Sequence, residues 1–112
     1  MNKVDINKTN SYLSKHIPLV MHSDVEKMVM YGSCARGDYT EESDLDIAIL
    51  TNCSRLEAKK YDDSLMDIVT DIAMDIGTNV QYVCIPKSEF DAKKTWYGYF
   101  KNIEKDGVTI YG

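Results

Sequence analysis

The segment Asp44–Leu50 constrains the fold more than any other part of the chain, because its residues alternate with a period of two. One set of alternate positions holds Leu45, Ile47 and Ile49, and the other holds Asp44, Asp46 and Ala48. Side chains alternate between the two faces of a β-strand, so the pattern predicts a half-buried strand. That strand would carry two carboxylates on one face, roughly 6–7 Å apart along the chain.

Apolar periodicity and turn residues predict the elements on either side of this strand. The other predicted strands are 25–31, 79–85 and 108–111, and the predicted long helices are 55–76 and 89–104. Gly77 would end the first of these helices, and Ser88 would cap the second. A short N-terminal helix would end before Pro18, because a proline ring disfavours a helical residue ahead of it. This order predicts an α/β or α+β fold, a small mixed sheet with helices packed mainly on one face.

Length and charge restrict the class of protein. With 112 residues, 44% hydrophobic and 28% charged, the chain is expected to form one folded domain over residues 1–112. Its 13 Lys and Arg against 18 Asp and Glu give a net charge of −5. Such a chain repels a polyanion, so strong direct binding to nucleic acid through a basic face is not expected.

Cysteine usage and hydropathy indicate the compartment. Cys34, Cys53 and Cys84 are odd in number and widely spaced, which predicts neither a zinc site nor a disulfide framework. The longest apolar runs are about four residues, against the ~20 needed to cross a bilayer. We therefore expect a cytoplasmic protein that has no membrane partner.

A corner with little side-chain bulk follows the first strand. Gly32 lacks a Cβ and lets a ligand approach the backbone, and Ser33 adds a hydroxyl. Residues 33–43 are small, polar or charged and should form a loop or a short helix. A helix N-terminus at this corner would suit a phosphate, and Arg36 could bind phosphate oxygens through two nitrogens.

The carboxylate pair follows this corner after ten residues. Ser43 precedes Asp44 and Asp46, which repel each other unless a cation lies between them. Hard oxygen ligands of this kind suit Mg²⁺, which takes phosphates and waters as its other ligands. A phosphate-binding corner facing two carboxylates is the arrangement that metal-assisted phosphoryl or nucleotidyl transfer requires.

The string G-S-x10-D-x-D, formed here by Gly32, Ser33, Asp44 and Asp46, resembles the signature of the minimal nucleotidyltransferases of the DNA polymerase β superfamily. The flanking Ala35, Arg36, Gly37 and Ser43 also match, as do the apolar run 47–50 and the C-terminal string 102–108. The resemblance covers nearly the whole chain. It implies a polymerase-β-like nucleotidyltransferase fold.

The resemblance also implies roles for these residues. Gly32, Ser33, Arg36 and Ser43 would bind a nucleoside triphosphate, and Asp44 and Asp46 would hold two Mg²⁺ ions and form the catalytic pair. The implied reaction transfers a nucleoside monophosphate, AMP from ATP, to a hydroxyl. Short members of the family act as antitoxins, so the implied acceptor is a tyrosine of a HEPN-type toxin partner.

One position departs from the family pattern. The family takes a third carboxylate from the next strand, and Gln81 stands at that position here. An amide has no charge and cannot accept a proton. Activity would then be reduced and would need a carboxylate from a partner, or the chain would bind nucleotide without transferring it and neutralise its partner stoichiometrically. A further alternative is a small-molecule, antibiotic-type nucleotidyltransferase in which a homo-oligomer builds the acceptor pocket.

Four aromatic residues lie close together near the C-terminus. They are Trp96, Tyr97, Tyr99 and Phe100. At helical spacing such a group is typical of a core or a partner surface, and it could also stack a base.

Overall fold

The computed structural model describes all 112 residues and forms one mixed sheet with helices. The strands are β1 Val25–Tyr31, β2 Leu45–Thr51, β3 Val80–Pro86 and β4 Val108–Tyr111. The helices are α1 Lys3–Met21, α2 Ser33–Arg36, α3 Arg55–Ala58, α4 Asp62–Asp75, α5 Lys87–Lys93 and α6 Gly98–Asp106. The predicted fold class is confirmed, and each predicted strand agrees with the structure to within one residue at either end.

The sheet has the strand order β3-β2-β1-β4. β1 pairs antiparallel with β2 and with β4, whereas β2 and β3 are parallel. Parallel strands need a crossover connection, and here α3 and α4 supply it. β2, which carries Asp46 and directly follows Asp44, therefore lies in the interior of the sheet, between β1 and β3.

Helices cover both faces of the sheet unequally. α1 and α4 pack on the face that carries the larger core, which includes Leu13, Ile17, Met28, Ile47, Ile49, Leu65 and Ile72. α5 and α6 cover part of the other face through a smaller core of Val29, Ala48, Leu50, Ile85, Phe90, Phe100 and Ile103. The two longest helices thus share one face, and Asp46, by alternation with Ala48, belongs to the face of α5 and α6.

The N-terminal helix is longer than predicted, because Pro18 lies inside α1. An interior proline removes the hydrogen bond to the carbonyl four residues earlier, at a cost of about 3 kcal/mol. Ile17 and Met21 are almost fully buried on either side of it, and their burial offsets that cost. The helix ends at His22, which has a positive φ of 51°. No helix, α1 included, is long and apolar enough to cross a membrane.

The predicted helix over 55–76 is interrupted. A 3-10 turn at Lys59–Tyr61 separates α3 from α4, and the Tyr61 hydroxyl donates a hydrogen bond to the Asp24 carboxylate at the turn before β1. This tertiary contact fixes a bend that the apolar periodicity does not reveal. The predicted stop is right, since α4 ends just before Gly77, whose φ is 86°.

The predicted helix over 89–104 is two helices. α5 already begins at Lys87 without a side-chain cap from Ser88, and α6 begins at Gly98. Tyr97 between them has extended backbone, with φ −80° and ψ 113°. The break allows Phe90 and Phe100 to meet in the smaller core, with ring centroids 5.4 Å apart.

Candidate functional site

Asp46, the second residue of β2, packs directly against Gly32 at the end of β1. A Cβ on Gly32 would lie 2.6 Å from Oδ2 of Asp46, closer than real Cβ contacts. Gly32 also has a φ of 76°, in the left-handed region that favours glycine. Both the space and the backbone conformation therefore require glycine, and the structure brings the corner and the carboxylate together.

The charged form of Asp46 is destabilised by its surroundings. Burial raises the pKa of Asp46, the neighbouring charge of Asp44 raises it further, and the Arg36 guanidinium acts in the opposite direction. Asp44 is exposed in the loop just before β2, and Asp46 is partly buried. A cation beside the pair would relieve this repulsion, so the pair fits a hard divalent ion such as Mg²⁺.

A third carboxylate is absent from the site. No group of three or more His, Cys, Asp or Glu side chains is arranged to hold a metal ion. Gln81 pairs with Asp46 in the register of β2 and β3, and paired residues direct their side chains to the same face. A neutral amide thus stands next to Asp46, and further ligands of a cation would come from water or a bound phosphate.

The segment after Gly32 is a single helical turn. The Gly32 carbonyl accepts hydrogen bonds from the N–H groups of Ala35 and Arg36, both at 3.1 Å, and Gly37 ends the turn with a φ of 86°. Ser33 is its first residue and adjoins Gly32. Because the helix is so short, its dipole contributes little, and the properties of this corner come from the glycine backbone and the serine hydroxyl.

Arg36 and Ser43 have partners within the protein. Arg36 donates through Nε to Asp38 at 3.2 Å, and its Nη1 lies 3.7 Å from Oδ2 of Asp106. Both are exposed or partly exposed ion pairs, which contribute little and can be exchanged for a ligand. The Ser43 Oγ accepts a hydrogen bond from the N–H of Thr40 at 2.8 Å, so this hydroxyl shapes the turn that precedes Asp44.

Sequence reasoning missed Tyr31. This residue pairs with Asp46 in the register of β1 and β2, and its hydroxyl shares a hydrogen bond of 2.7 Å with Tyr99 of α6. Burial, the contact with Tyr99 and the charge of Asp46 all raise the pKa of Tyr31, so its phenol stays neutral. The signal was present, because Tyr31 shares the strand alternation of Val29 and therefore the face of Asp46.

A groove opens beside Asp44. Its volume is about 320 Å³, and it lies between α4 and the start of β3. Asp44, Asn79 and Gln81 supply its polar lining, and Val69 and Met74 are among its apolar residues. Larger clefts lie along α1 and at the carboxyl ends of β2 and β3, away from the pair.

Comparison with known sequences gives consistent matches. Residues 7–106 match the family model described as "Nucleotidyltransferase domain". A Methanocaldococcus jannaschii protein named "putative protein adenylyltransferase" is 30% identical over 87 residues, which cover 78% of this chain and 79% of the relative. A second protein of the same name and organism is 44% identical over 36 residues, covering 32% and 36% of the two chains.

Comparison with solved structures supports the fold. A chain of the crystal structure described as "the toxin-antitoxin with AMP-PNP" aligns with a TM-score of 0.56 at 18% identity, covering 100% of this chain and 74% of that one. A "putative nucleotidyltransferase" from Sulfolobus solfataricus aligns with a TM-score of 0.54 at 23% identity, covering 97% and 87%. At these identities the likeness concerns the arrangement of strands and helices.

Proposed function

The chain belongs to the nucleotidyltransferase domain family, and from that premise we propose that it transfers AMP from ATP to a hydroxyl of a protein partner in a Mg²⁺-dependent reaction. One observation carries the proposal. The carboxylate of Asp46 lies against the backbone of Gly32, with Asp44 beside it. The choice of AMP and of a protein acceptor is supported by the relatives named as protein adenylyltransferases.

Each residue of the site has a role in this proposal. Asp44 and Asp46 are the catalytic pair and would hold Mg²⁺, which when bound would supply Lewis-acid chemistry for the acceptor hydroxyl and positive charge for the triphosphate. Gly32 lets the phosphates approach the backbone, while Ser33 donates its hydroxyl to them. The acceptor oxygen bonds to the α-phosphorus as the bond to pyrophosphate breaks, and the hydroxyl proton leaves to water.

Arg36 and Ser43 act around this reaction. Arg36 would exchange an exposed carboxylate partner for a phosphate oxygen, which its planar guanidinium can bind through two nitrogens. Ser43 supports nucleotide binding by holding the turn that presents Asp44.

The proposed acceptor is a tyrosine of a HEPN-type toxin, for which this chain is the antitoxin. Support comes from the resemblance of the Gly-Ser corner and the carboxylate pair to minimal nucleotidyltransferases. The structural neighbour described as a toxin–antitoxin with AMP-PNP has the same fold with a partner and a nucleotide analogue.

A transfer assay tests this proposal. The chain is incubated with Mg²⁺, ATP labelled at the α-phosphorus and the protein encoded by the adjacent gene. We expect label on that protein with the wild type and none with Asp44→Asn or Asp46→Asn. The matched control is Asp67→Asn, which changes an exposed carboxylate on α4, on the opposite face of the sheet.

A second candidate function is stoichiometric neutralisation, which Gln81 favours because it leaves the site with two carboxylates. In that case the partner would be neutralised without label, and neutralisation would survive both substitutions of the pair. Gln81→Asp distinguishes the two further, because a third carboxylate beside Asp46 should increase label transfer. Gln81→Asn, which keeps the amide, is its control.

A further inference from the structure

An aromatic wall begins at Tyr31, the strand partner of Asp46, and continues through Tyr99, Tyr97 and Trp96. Tyr31 and Tyr99 share a hydrogen bond between their hydroxyls, with ring planes at 73°. Tyr97 lies nearly perpendicular to Tyr99 at 6.4 Å between centroids, and Trp96 follows at 6.2 Å from Tyr97. We propose that this wall binds the nucleobase of the donor nucleotide, an inference that rests on the proposed function.

The wall is anchored in the core and faces solvent. Phe100, next to Tyr99, is 2% exposed and packs against Tyr97 at 4.9 Å between centroids. In contrast, Trp96 is 66%, Tyr97 45% and Tyr99 42% exposed. Exposed aromatic side chains that adjoin one another form the kind of surface that binding sites use, unlike apolar residues scattered singly.

The position of the wall identifies which substrate it contacts. Tyr31 and Gln81 flank Asp46 from β1 and β3 in the register of the sheet. Tyr31 is also the chain neighbour of Gly32, the corner assigned to the donor phosphates. The wall therefore lies on the donor side of Asp46.

The chemistry of the wall suits a flat heteroaromatic ring. Every nucleobase has a π-face that stacks on tyrosine or tryptophan, whereas phosphate and ribose do not. The paired hydroxyls of Tyr31 and Tyr99 both donate and accept hydrogen bonds and can meet the polar edge of a base. Stacking contacts of this kind change affinity roughly 5- to 150-fold when the aromatic side chain is removed.

A comparison of two ligands, one with a nucleobase and one without, distinguishes recognition of the base from recognition of the phosphates. Dissociation constants for ATP and for inorganic tripolyphosphate are measured in Mg²⁺ with the wild type, Tyr99→Leu and Tyr99→Phe. We expect Tyr99→Leu to weaken the binding of ATP roughly 5- to 150-fold and to leave the binding of tripolyphosphate unchanged. Tyr99→Phe should keep most of the affinity for ATP. Tyr12→Leu, a change in α1 on the opposite face of the sheet, is the matched control and should alter neither.

The outcomes remain distinguishable from a failure of the proposed function. If the wild type binds neither ligand, the nucleotidyltransferase proposal fails and this inference with it. If the wild type binds both and Tyr99→Leu weakens both equally, or weakens neither, only the nucleobase assignment is overturned. If Tyr99→Leu binds ATP as the wild type does but transfers label more slowly, the nucleobase assignment is overturned and the wall contacts the acceptor instead. Trp96→Leu, at the most exposed position of the wall, repeats the test should Tyr99→Leu not fold.

Discussion

At the scale of single residues, the contact between Gly32 and Asp46 makes the strongest demand on the sequence. Gly32→Ala would place a methyl group 2.6 Å from Oδ2 of Asp46 and would also strain a backbone with a φ of 76°. We expect the free energy of unfolding to fall by more than the ~1–2 kcal/mol that a left-handed alanine costs. Chemical denaturation measures this loss, and label transfer should disappear with it.

Gly37 provides the matched control for this substitution. Its φ is 86°, but a Cβ there would have no atom within 4 Å. Gly37→Ala therefore adds only the backbone strain and should cost ~1–2 kcal/mol with transfer retained. Equal losses for the two variants would mean that Asp46 yields freely to the added methyl group, which contradicts the close packing of the corner.

The pH dependence of stability follows from the raised pKa of Asp46. Because the folded state binds this proton more tightly than the unfolded state, stability falls as pH rises through the unfolded and then the folded pKa of Asp46. Asp46→Asn removes the partly buried charge and its repulsion by Asp44. We expect the variant to be more stable than the wild type at neutral pH without metal, with the difference shrinking as pH falls through that window.

Thermal denaturation between pH 4 and pH 7.5 in EDTA measures this difference. Asp67→Asn, an exposed carboxylate of α4, should show no comparable trend. A wild type that is more stable than Asp46→Asn at neutral pH would contradict the direction of the shift, and it would indicate that Arg36 outweighs burial and Asp44.

At the scale of elements, strands were easier to predict than helices for a physical reason. The alternation in 45–51 records which side chains face the larger core, so the pattern itself fixes the strand. Helix limits depend instead on tertiary contacts that leave no periodic signal. The bend at 59–61 rests on a hydrogen bond between Tyr61 and Asp24, and α6 starts anew at Gly98 because Phe100 packs on Phe90.

Part of the candidate site could also be predicted from the sequence. The family resemblance of the string that contains Gly32 and Asp46 predicted that a corner and a carboxylate pair belong to one site, and the structure puts Gly32 and Asp46 in contact. The exposure of Tyr99 could not be predicted from the sequence. It depends on the residue at which α6 begins, which sets how the helix is rotated against the sheet.

α1 offers a test of how tertiary packing overrides local preference. Pro18→Ala restores a donor for the Ser14 carbonyl inside a helix that the structure shows to be continuous. We expect the free energy of unfolding to rise by about 1–3 kcal/mol, measured by urea denaturation. Leu19→Ala, at a 64% exposed position of the same turn, should change it little. No gain for Pro18→Ala would mean that α1 ends before residue 18, as the sequence alone predicts.

At the scale of the whole molecule, one face of the sheet supplies most of the stability and the other face carries the candidate site. The larger core under α1 and α4 contains most of the buried apolar residues and supplies most of the hydrophobic stabilisation. The face of α5 and α6 has the smaller core and also carries Asp46, Gln81 and Tyr31. The larger core, on the opposite face of the same strands, therefore supplies the stability that offsets the repulsion between Asp44 and Asp46.

Ligand linkage provides the corresponding prediction for the whole molecule. A ligand that binds only the folded state at 100 times its dissociation constant raises the free energy of unfolding by ~2.7 kcal/mol, which for a chain of this size shifts Tm by roughly 10 °C. We expect this shift with Mg²⁺ and ATP together, measured by calorimetry or fluorescence. ATP in EDTA should give a much smaller shift, because the repulsion between triphosphate and carboxylates then remains. In the double variant Asp44→Asn, Asp46→Asn, Mg²⁺ should no longer increase the Tm shift caused by ATP. A Tm shift equal to that of the wild type would mean that nucleotide binding does not depend on the carboxylate pair.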